Sequence, residues 1–495
     1  MRTLAMLLAV AIVIAMAACG GSGGGTTAST ITSVTVTCSP STIQYGQTSQ
    51  CSATVMGTGS FSSAVTWTAS AGSISSSGLF TAPSGGNASL MVTVTATSSQ
   101  DPSKSGATAV TVNPVQQVNN VQPILADAGP PTVGAVNEPF TSVTVCVPNT
   151  TTCQTIDHIL VDTGSSGLRL LSSFPGGGEL TIQLPNQNDS SGNPLAECLV
   201  FLDGFTWGNV AAADITIAGE QASSVRLQVI IPSTSSPAVP KSCSSQTTGP
   251  NEGNSVSALG ANGILGVGLF QQDCGQPCVS NPPPNAYYDC LSSGCNPTTV
   301  TLAQQVSNPV IFFASDNNGV LISLPAVPNG GLPTVSGSLI FGIGTQSNNA
   351  LGSATVYTVS DSTGDFTTTF AGNNYPQSFI DSGSNGFFFP NATGIPVCPS
   401  PNNFWYCPSS ADNLTATNQG VNGNKGTVSF TIENANTLFS NNGSNNTAFS
   451  TLGGPAGSGA ASSFDWGLSF FYGRNVFTAI ENKNASGVTG PYFAY

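Results

Sequence analysis

The chain has 495 residues, of which 8 are Lys or Arg, 22 are Asp or Glu and only one is His. The formal net charge of −14 argues against a nucleic-acid partner, because phosphate binding depends on Lys and Arg. Hydrophobic residues make up 39%, and Val, Ile, Phe and Thr alternate widely. These features predict a β-rich globular protein of two or three domains.

The N-terminus has the pattern of an export signal. Arg2 precedes an apolar run at 4–18 that is too short to favour a spanning helix, and Cys19 follows two small residues. AMAAC resembles a bacterial lipoprotein processing box, which implies a signal peptide at 1–19 and lipidation of Cys19. Cleavage after Ala17 by an ordinary signal peptidase is the alternative. Residues 20–30, GGSGGGTTAST, have the composition of a flexible tether.

Residues 31–112 contain period-two strands separated by turn residues. The stretch VTWTASAGSISSSGLFTAPS resembles bacterial immunoglobulin-like domains and implies a β-sandwich, usually a spacer. Cys38 and Cys51 are placed to join neighbouring strands rather than the two sheets of a sandwich. Residues 113–123 form a polar, Pro-bounded segment, which predicts a linker.

Two segments share a six-residue pattern. ILVDTGSSGLRLL (159–171) contains Asp162-Thr163-Gly164-Ser165, and SFIDSGSNGFFFP (378–390) contains Asp381-Ser382-Gly383-Ser384. One copy alone is typical of a turn, because Asp bonds its own backbone and Gly tolerates positive φ. A second copy, also flanked by apolar strands, indicates a paired site with one copy in each of two lobes.

The paired segments resemble the active-site loops of the pepsin-like aspartic proteases, in an uncharacterised, bacterial lipoprotein-type branch. Other stretches follow in the order that this family requires: FTWGNVAAADITIAGEQ, ANGILGVGLF, GSLIFGIG and the C-terminal 466–495. The resemblance covers most of 120–495. It implies an all-β fold class: an immunoglobulin-like β-sandwich followed by a bilobal pepsin-like β domain, with lobes at 124–305 and 306–495.

The resemblance also implies the chemistry. Asp162 and Asp381 would share a proton over an acidic range, because two adjacent carboxylates do not both ionise easily. The ionised member would take a proton from water and the protonated member would donate to the scissile carbonyl. We expect neither a metal nor another cofactor to take part.

Neighbouring residues of both loops would support the two carboxyls. By resemblance, Thr163 and Ser382 bond across the floor of the site, and Ser165 and Ser384 bond the outer carboxylate oxygens. Gly164 and Gly383 permit the tight turn and a close backbone approach.

Two stretches depart from the family pattern. No Tyr lies between Asp162 and Gly266, where the family has a flap Tyr, so Phe205 and Trp207 are the flap candidates. In the second lobe the apolar-apolar-Gly support is assigned to Gly467-Leu468-Ser469, with Ser in place of Gly.

The 13 cysteines less Cys19 leave 12, an even set suited to disulfides outside the cytoplasm. Spacing predicts the pairs Cys38–Cys51, Cys146–Cys153 and Cys398–Cys407, and elimination leaves Cys198–Cys243. Cys274, Cys278, Cys290 and Cys295 are expected to form two disulfides of unknown pairing, with a four-thiolate zinc site as the alternative. The lone His158 is interpreted as structural, because no nucleophile elbow accompanies it.

The sequence thus predicts an exported, lipid-anchored protein of the bacterial cell envelope, or a secreted one, that hydrolyses extended polypeptides as a monomer. One alternative is an inert pepsin-like protein that binds peptides without cutting them. Another is a surface adhesin or envelope structural protein that acts through its immunoglobulin-like domain.

Overall fold

A computed structural model describes residues 28–83, 89–113, 120–173, 177–201, 204–232, 235–246, 251–440, 445–457 and 460–495. The expected signal peptide, Cys19, most of the tether and the centre of the linker lie outside these ranges. The chain divides into two compact units, Met1–Gln117 and Val118–Tyr495.

The first unit consists of two four-stranded sheets, β1-β3-β6-β5 and β2-β8-β7-β4. Phe80 of one sheet and Ile43, Val92 and Val110 of the other are buried in one cluster, so the two sheets face each other. The strands are β1 Thr30–Ser39, β2 Thr42–Gln44, β3 Thr48–Thr58, β4 Val65–Ala69, β5 Ser73–Ile74, β6 Leu79–Thr81, β7 Leu90–Ser98 and β8 Ser105–Asn113.

Strands also dominate the second unit. Those of its first half are β9 Val121–Ala126, β10 Pro139–Cys146, β11 Cys153–Asp162, β12 Ser166–Leu171, β13 Leu195–Val200, β14 Gly204–Ile217, β15 Glu220–Ile230, β16 Asn251–Glu252, β17 Gly263–Val267, β18 Tyr287–Leu291 and β19 Gly294–Pro297. Those of its second half are β20 Gly319–Ser323, β21 Val335–Phe341, β22 Val356–Thr358, β23 Phe366–Phe370, β24 Asn373–Ile380, β25 Phe387–Phe389, β26 Asp412–Gln419, β27 Lys425–Ile432, β28 Gly453–Pro455, β29 Asp465–Trp466, β30 Asn475–Ala479, β31 Asn484–Ala485, β32 Val488–Thr489 and β33 Tyr492–Ala494.

Helices within the described ranges are short. The α-helices are Lys241–Ser244, Val256–Leu259, Ala435–Ser440 and Leu468–Phe471, and the 3-10 helices are Gln276–Val279, Leu302–Gln304 and Pro309–Phe312. None of the helices in the described part of the chain has the length and apolar character to span a membrane. The all-β class predicted from the sequence is confirmed.

One large sheet joins the two halves of the second unit. It contains 16 strands and runs from β19 through β11, β10, β9, β21 and β20 to β22. A 7-stranded sheet, β27-β26-β23-β24-β29-β25-β28, belongs to the second half alone. The unit is therefore bilobal, and β9 is the strand where the two lobes meet.

Strand β9 begins inside the expected linker. Val121, Gln122 and Pro123 pair with β21, whereas β10 pairs only with Leu125 and Ala126. Pro123, which has no N–H, therefore lies where β9 has a neighbour on one side only, a position that tolerates proline. The linker predicted at 113–123 is thus too long at its C-terminal end, because Pro123 is not a boundary.

Six disulfides join Cys38–Cys51, Cys146–Cys153, Cys198–Cys243, Cys274–Cys278, Cys290–Cys295 and Cys398–Cys407. The four pairs that the sequence predicts all form. The remaining four cysteines pair locally, so their thiols are not available to zinc. Such a set of disulfides is typical of an oxidising compartment outside the cytoplasm.

We predict that the Cys198–Cys243 disulfide contributes most to stability. Its cysteines are 45 residues apart, against 5 for Cys290–Cys295. Loop-closure entropy gives about 4 kcal/mol for the longer loop and about 2 kcal/mol for the shorter one. Cys198→Ala/Cys243→Ala should therefore lower the free energy of unfolding in urea more than Cys290→Ala/Cys295→Ala. Equal losses would contradict this expectation.

Candidate active site

The two Asp loops have the same local fold. β11, which ends at Asp162, pairs in parallel with β17, and β17 pairs antiparallel with β12. β24, which ends one residue before Asp381, pairs in parallel with β29, and β29 pairs antiparallel with β25. Each Asp therefore lies where a strand ends and its loop begins, and a neighbouring strand supports that loop.

The strand registers correct the second supporting segment. Val161 pairs with Leu265 and Asp162 with Gly266; Ile380 pairs with Trp466, which sets Gly467 opposite Asp381. A Cβ on Gly467 would lie 2.5 Å from the Ser384 carbonyl oxygen, so glycine is required there. The support is thus Asp465-Trp466-Gly467, and the prediction of Gly467-Leu468-Ser469 is wrong. The supporting segment is hard to recognise in the sequence, because Asp465 occupies a position where the family pattern has an apolar residue.

Each carboxyl group lies against the glycine of the opposite loop. A Cβ on Gly164 would be 2.6 Å from Cγ of Asp381, and one on Gly383 would be 2.7 Å from Oδ1 of Asp162. The two carboxyls, which hydrogen-bond to each other, are thereby held in contact across the two lobes. A side chain in place of either glycine would displace the carboxyl that it faces.

The same donors orient both carboxyls. Oδ1 of Asp162 accepts from the Gly164 N–H at 2.7 Å, and Oδ1 of Asp381 accepts from the Gly383 N–H at 2.8 Å. The Ser165 hydroxyl donates to Oδ2 of Asp162, and the Ser384 hydroxyl donates to Oδ2 of Asp381 at 2.9 Å.

Thr163 and Ser382 tie the two loops together reciprocally. The Thr163 N–H donates to Ser382 Oγ at 3.1 Å, and the Ser382 N–H donates to Thr163 Oγ1 at 2.9 Å. Each hydroxyl in turn donates to a carbonyl of the other lobe, Thr163 to Ile380 and Ser382 to Val161. All four groups are buried, so their pairing fixes the distance between the loops.

Burial raises the pKa of Asp381 well above its usual range. The electrostatic influence of the neighbouring acidic groups is the next cause, that of Asp162 before that of Asp465, while the Gly383 N–H lowers the pKa. One carboxyl of the pair therefore keeps its proton under conditions in which an exposed Asp would lose it. Because the two groups are coupled, this proton belongs to the pair.

A third carboxyl, Asp465, lies beside the pair. Burial raises its pKa to about 8, against a hydrogen bond with Ser384 that lowers it, and the charge of Asp162 raises it further. The sequence did carry a signal for this residue: an acidic residue stands between Phe464 and Trp466 in an otherwise apolar stretch.

Arg169 stabilises the first loop from its buried side. Its Nη1 donates to the carbonyls of Ser166 at 2.9 Å and Gly167 at 3.3 Å. Its Nη2 lies 2.7 Å from Glu197 Oε1 and 3.3 Å from Asp273 Oδ2, and all three side chains are buried. Burial opposes the guanidinium charge, but the two carboxyls outweigh it and raise the pKa of Arg169.

The structure does not support the flap role expected of Phe205 and Trp207. Both are buried in one cluster with the Cys198–Cys243 disulfide, and the Trp207 indole N–H donates to the Pro237 carbonyl at 2.8 Å. Trp207 is fully buried and Phe205 is only 7% exposed, so neither side chain offers a surface that could cover a substrate. In the sequence, aromatic residues that alternate along a strand are equally consistent with a strand face buried in the core and with a flap that covers the substrate.

An open cavity of about 340 Å³ borders the second loop. Its lining includes two polar residues, Asn385, which directly follows Ser384, and Glu138; the others are Val133, Gly134, Ala135, Val136, Trp405 and Phe439. His158 does not line this cavity. Its Nδ1 lies 3.0 Å from Oδ1 of Asp157, a contact that is consistent with a structural role.

Arg169→Met should destabilise the protein by about 3–5 kcal/mol, because Glu197 would remain buried without its cation. Arg226→Met is the matched control, since the partly buried Arg226 takes part in no ion pair among the described residues and donates to the Ser224 carbonyl, so its loss should cost about 1 kcal/mol. Urea unfolding measures both values. Similar losses for the two variants would show that the buried cluster is not a special anchor.

Thr163→Val should cost about 1–3 kcal/mol, because it keeps the side-chain shape but leaves the Ser382 N–H and the Ile380 carbonyl without their partner. Thr163→Ser, which retains the hydroxyl, is the control and should lose much less. If Thr163→Val is as stable as Thr163→Ser in urea, the reciprocal bonds do not hold the loops together.

No curated protein matches this sequence significantly. A crystal structure of aspartic proteinase from Irpex lacteus is similar over 76% of this chain and 96% of that chain, with 14% sequence identity and a TM-score of 0.42. A TM-score below 0.5 decides nothing about fold or activity. The family model described as "Protein of unknown function (DUF3443)" matches residues 116–495, which is most of the chain. The chain therefore belongs to this family.

Proposed function

We propose that the second unit, 118–495, hydrolyses peptide bonds with a water activated between Asp162 and Asp381. One observation supports this function most directly. Each carboxyl lies against the glycine of the opposite loop, within a set of donors that is the same on both sides. Such a shared-proton pair offers an acid and a base within reach of one water molecule.

The chemistry needs only these two side chains and water. The ionised carboxyl takes a proton as the water oxygen attacks the carbonyl carbon, and the protonated carboxyl gives its proton to the carbonyl oxygen. The tetrahedral diol then collapses: the carboxyl that now holds a proton gives it to the amine nitrogen, the other carboxylate takes a proton from a diol hydroxyl, the C–N bond breaks, and the pair regains its shared proton. Which Asp plays which part is a property of the pair.

The substrate is an extended polypeptide. The cavity beside Asn385 supports this class, because its aromatic and aliphatic residues suit an apolar side chain of a bound peptide, with Glu138 and Asn385 as the polar residues beside it. Extended peptides also leave their backbone groups free to pair with strands at the edges of a cleft.

The protein acts outside the cytoplasm as a monomer, with a lipid on Cys19 and the first unit as an immunoglobulin-like stalk. Disulfides in both units fit an oxidising compartment. Cleavage of a casein-type unfolded substrate would be measured on the mature, anchored form in detergent.

Asp162→Asn and Asp381→Asn should each reduce cleavage of an unfolded protein between pH 3 and 7 by at least ~10³-fold, because neither Asn can exchange a proton with water. The wild type should cut best at acidic pH and lose activity as the pair loses its last proton. Asp412→Asn, at the partly buried start of β26, is a matched control for the substitution itself.

Thermal unfolding would confirm that every variant is folded. If the wild type cuts and either dyad variant cuts equally well, the shared-proton mechanism is wrong. If all folded forms fail to cut but the wild type binds an unfolded polypeptide, the inert peptide-binding alternative replaces the proposed activity.

A further inference from the structure

The two loops differ at one buried position. Ile264 of β17 pairs with Leu160 and Arg169, and its counterpart Asp465 of β29 pairs with Phe379 and Phe388. An apolar side chain thus supports the first loop where a carboxyl supports the second. Packing alone does not require this difference, because the same strand arrangement accommodates Ile in the other lobe.

Asp465 has few polar neighbours. Its exposed fraction is 4%, and Oδ1 has no hydrogen-bond partner among the described residues. The Ser384 hydroxyl bonds the carboxyl, and the ionisable groups that act on it are Asp162 and Asp381, both acidic. Within the described ranges, no salt bridge reaches any of these three carboxyls. An ionised Asp465 would therefore be a buried charge without compensation, which is strongly unfavourable.

Counting protons fixes the direction of the bonds. A serine hydroxyl has one proton to donate and two lone pairs that accept. Ser384 Oγ lies 2.9 Å from Asp381 Oδ2 and also bonds Asp465. Ser384 can lower the pKa of Asp465 only by donating to it, and it has one proton for two carboxyls. If Ser384 gives this proton to Asp381, the bond with Asp465 needs a proton from Asp465, which is the neutral form that burial favours.

We propose that Asp465 is a positioning residue whose neutral carboxyl donates to Ser384 Oγ, so that the Ser384 hydroxyl proton is directed at Asp381. The chain of bonds runs from Asp465 through Ser384 to Asp381 and requires no change in covalent structure. Ser165 of the first loop has no such partner at the Ile264 position, so the two halves of the pair are unequal. The effect on catalysis rests on the proposed function; the position of the proton does not.

Infrared spectroscopy of the full chain tests whether Asp465 holds the proton, and this measurement does not depend on peptide-bond cleavage. The background is Asp162→Asn/Asp381→Asn, which removes the proton that the pair itself would hold. In this background at pH 7, adding Asp465→Asn should abolish one carboxylic-acid C=O band. A spectrum unchanged by Asp465→Asn would mean that Asp465 is ionised, and would overturn the proposal whether or not the protein cuts peptides.

A double-mutant cycle tests the bond to Ser384. Asp465→Val and Ser384→Ala, alone and combined, would be compared by thermal unfolding at pH 5. The drop in Tm of the combined variant should be clearly smaller than the sum of the single drops, because either change breaks the same bond. Ile264→Val with Ser384→Ala is the matched control and should be additive. Additive effects of Asp465→Val and Ser384→Ala would show that the two side chains do not share a bond and would overturn the proposal.

Cleavage kinetics test the catalytic consequence. A donor held on an ionised carboxylate lowers its pKa, so losing it in Asp465→Val should move the acid limb of kcat/KM upward by about one to two pH units. Asp465→Asn keeps an N–H donor and should shift the limb much less. Equal shifts would contradict a positioning role. If the wild type does not cut while the infrared and cycle results hold, the proposed hydrolysis fails and the assignment of the proton stands.

Discussion

The structure of the second unit depends on the contact between two acidic side chains that would repel each other if both were charged. Asp162 and Asp381 come from different lobes, and both lie where a Cβ on the opposing glycine would collide with them. Such an arrangement is unfavourable unless a proton is shared and the surrounding backbone supplies donors. The reciprocal bonds of Thr163 and Ser382 provide the rigidity that keeps the two groups together.

The symmetry of the loops stops at their immediate surroundings. Below the first loop lies a buried cation, Arg169, compensated by Glu197 and Asp273. Around the second loop the neighbours are aromatic, with Phe387 and Trp466 in edge-to-face contact at 5.9 Å. The same strand plan is thus stabilised by ion pairing in one lobe and by aromatic packing in the other. This difference makes the environments of the two carboxyls unequal.

Elimination alone left the Cys198–Cys243 pair, whose cysteines are 45 residues apart. Sequence analysis located the loops, the all-β class and the other three predicted disulfides because each has a local signature: a repeated hexapeptide, period-two alternation and short cysteine spacings. It failed where the deciding contact is distant in sequence. Trp207 alternates as a flap residue would, but the Cys198–Cys243 disulfide encloses it. Asp465 is hard to recognise from the sequence, because the supporting segment of the family has an apolar residue at its position. Proline favours a boundary at Pro123, and no local pattern indicates the pairing with β21 that makes Pro123 part of a strand.

Strand β9 has a consequence for how the chain is made. Val121–Ala126 leaves the ribosome early, yet most of its hydrogen-bond partners are in β21, which is synthesised much later. Until β21 emerges, this edge of the first lobe remains unpaired, and an open strand edge can pair with other chains. The first lobe therefore keeps an open edge until the second lobe has been synthesised, and its sheet is complete only in the full-length chain.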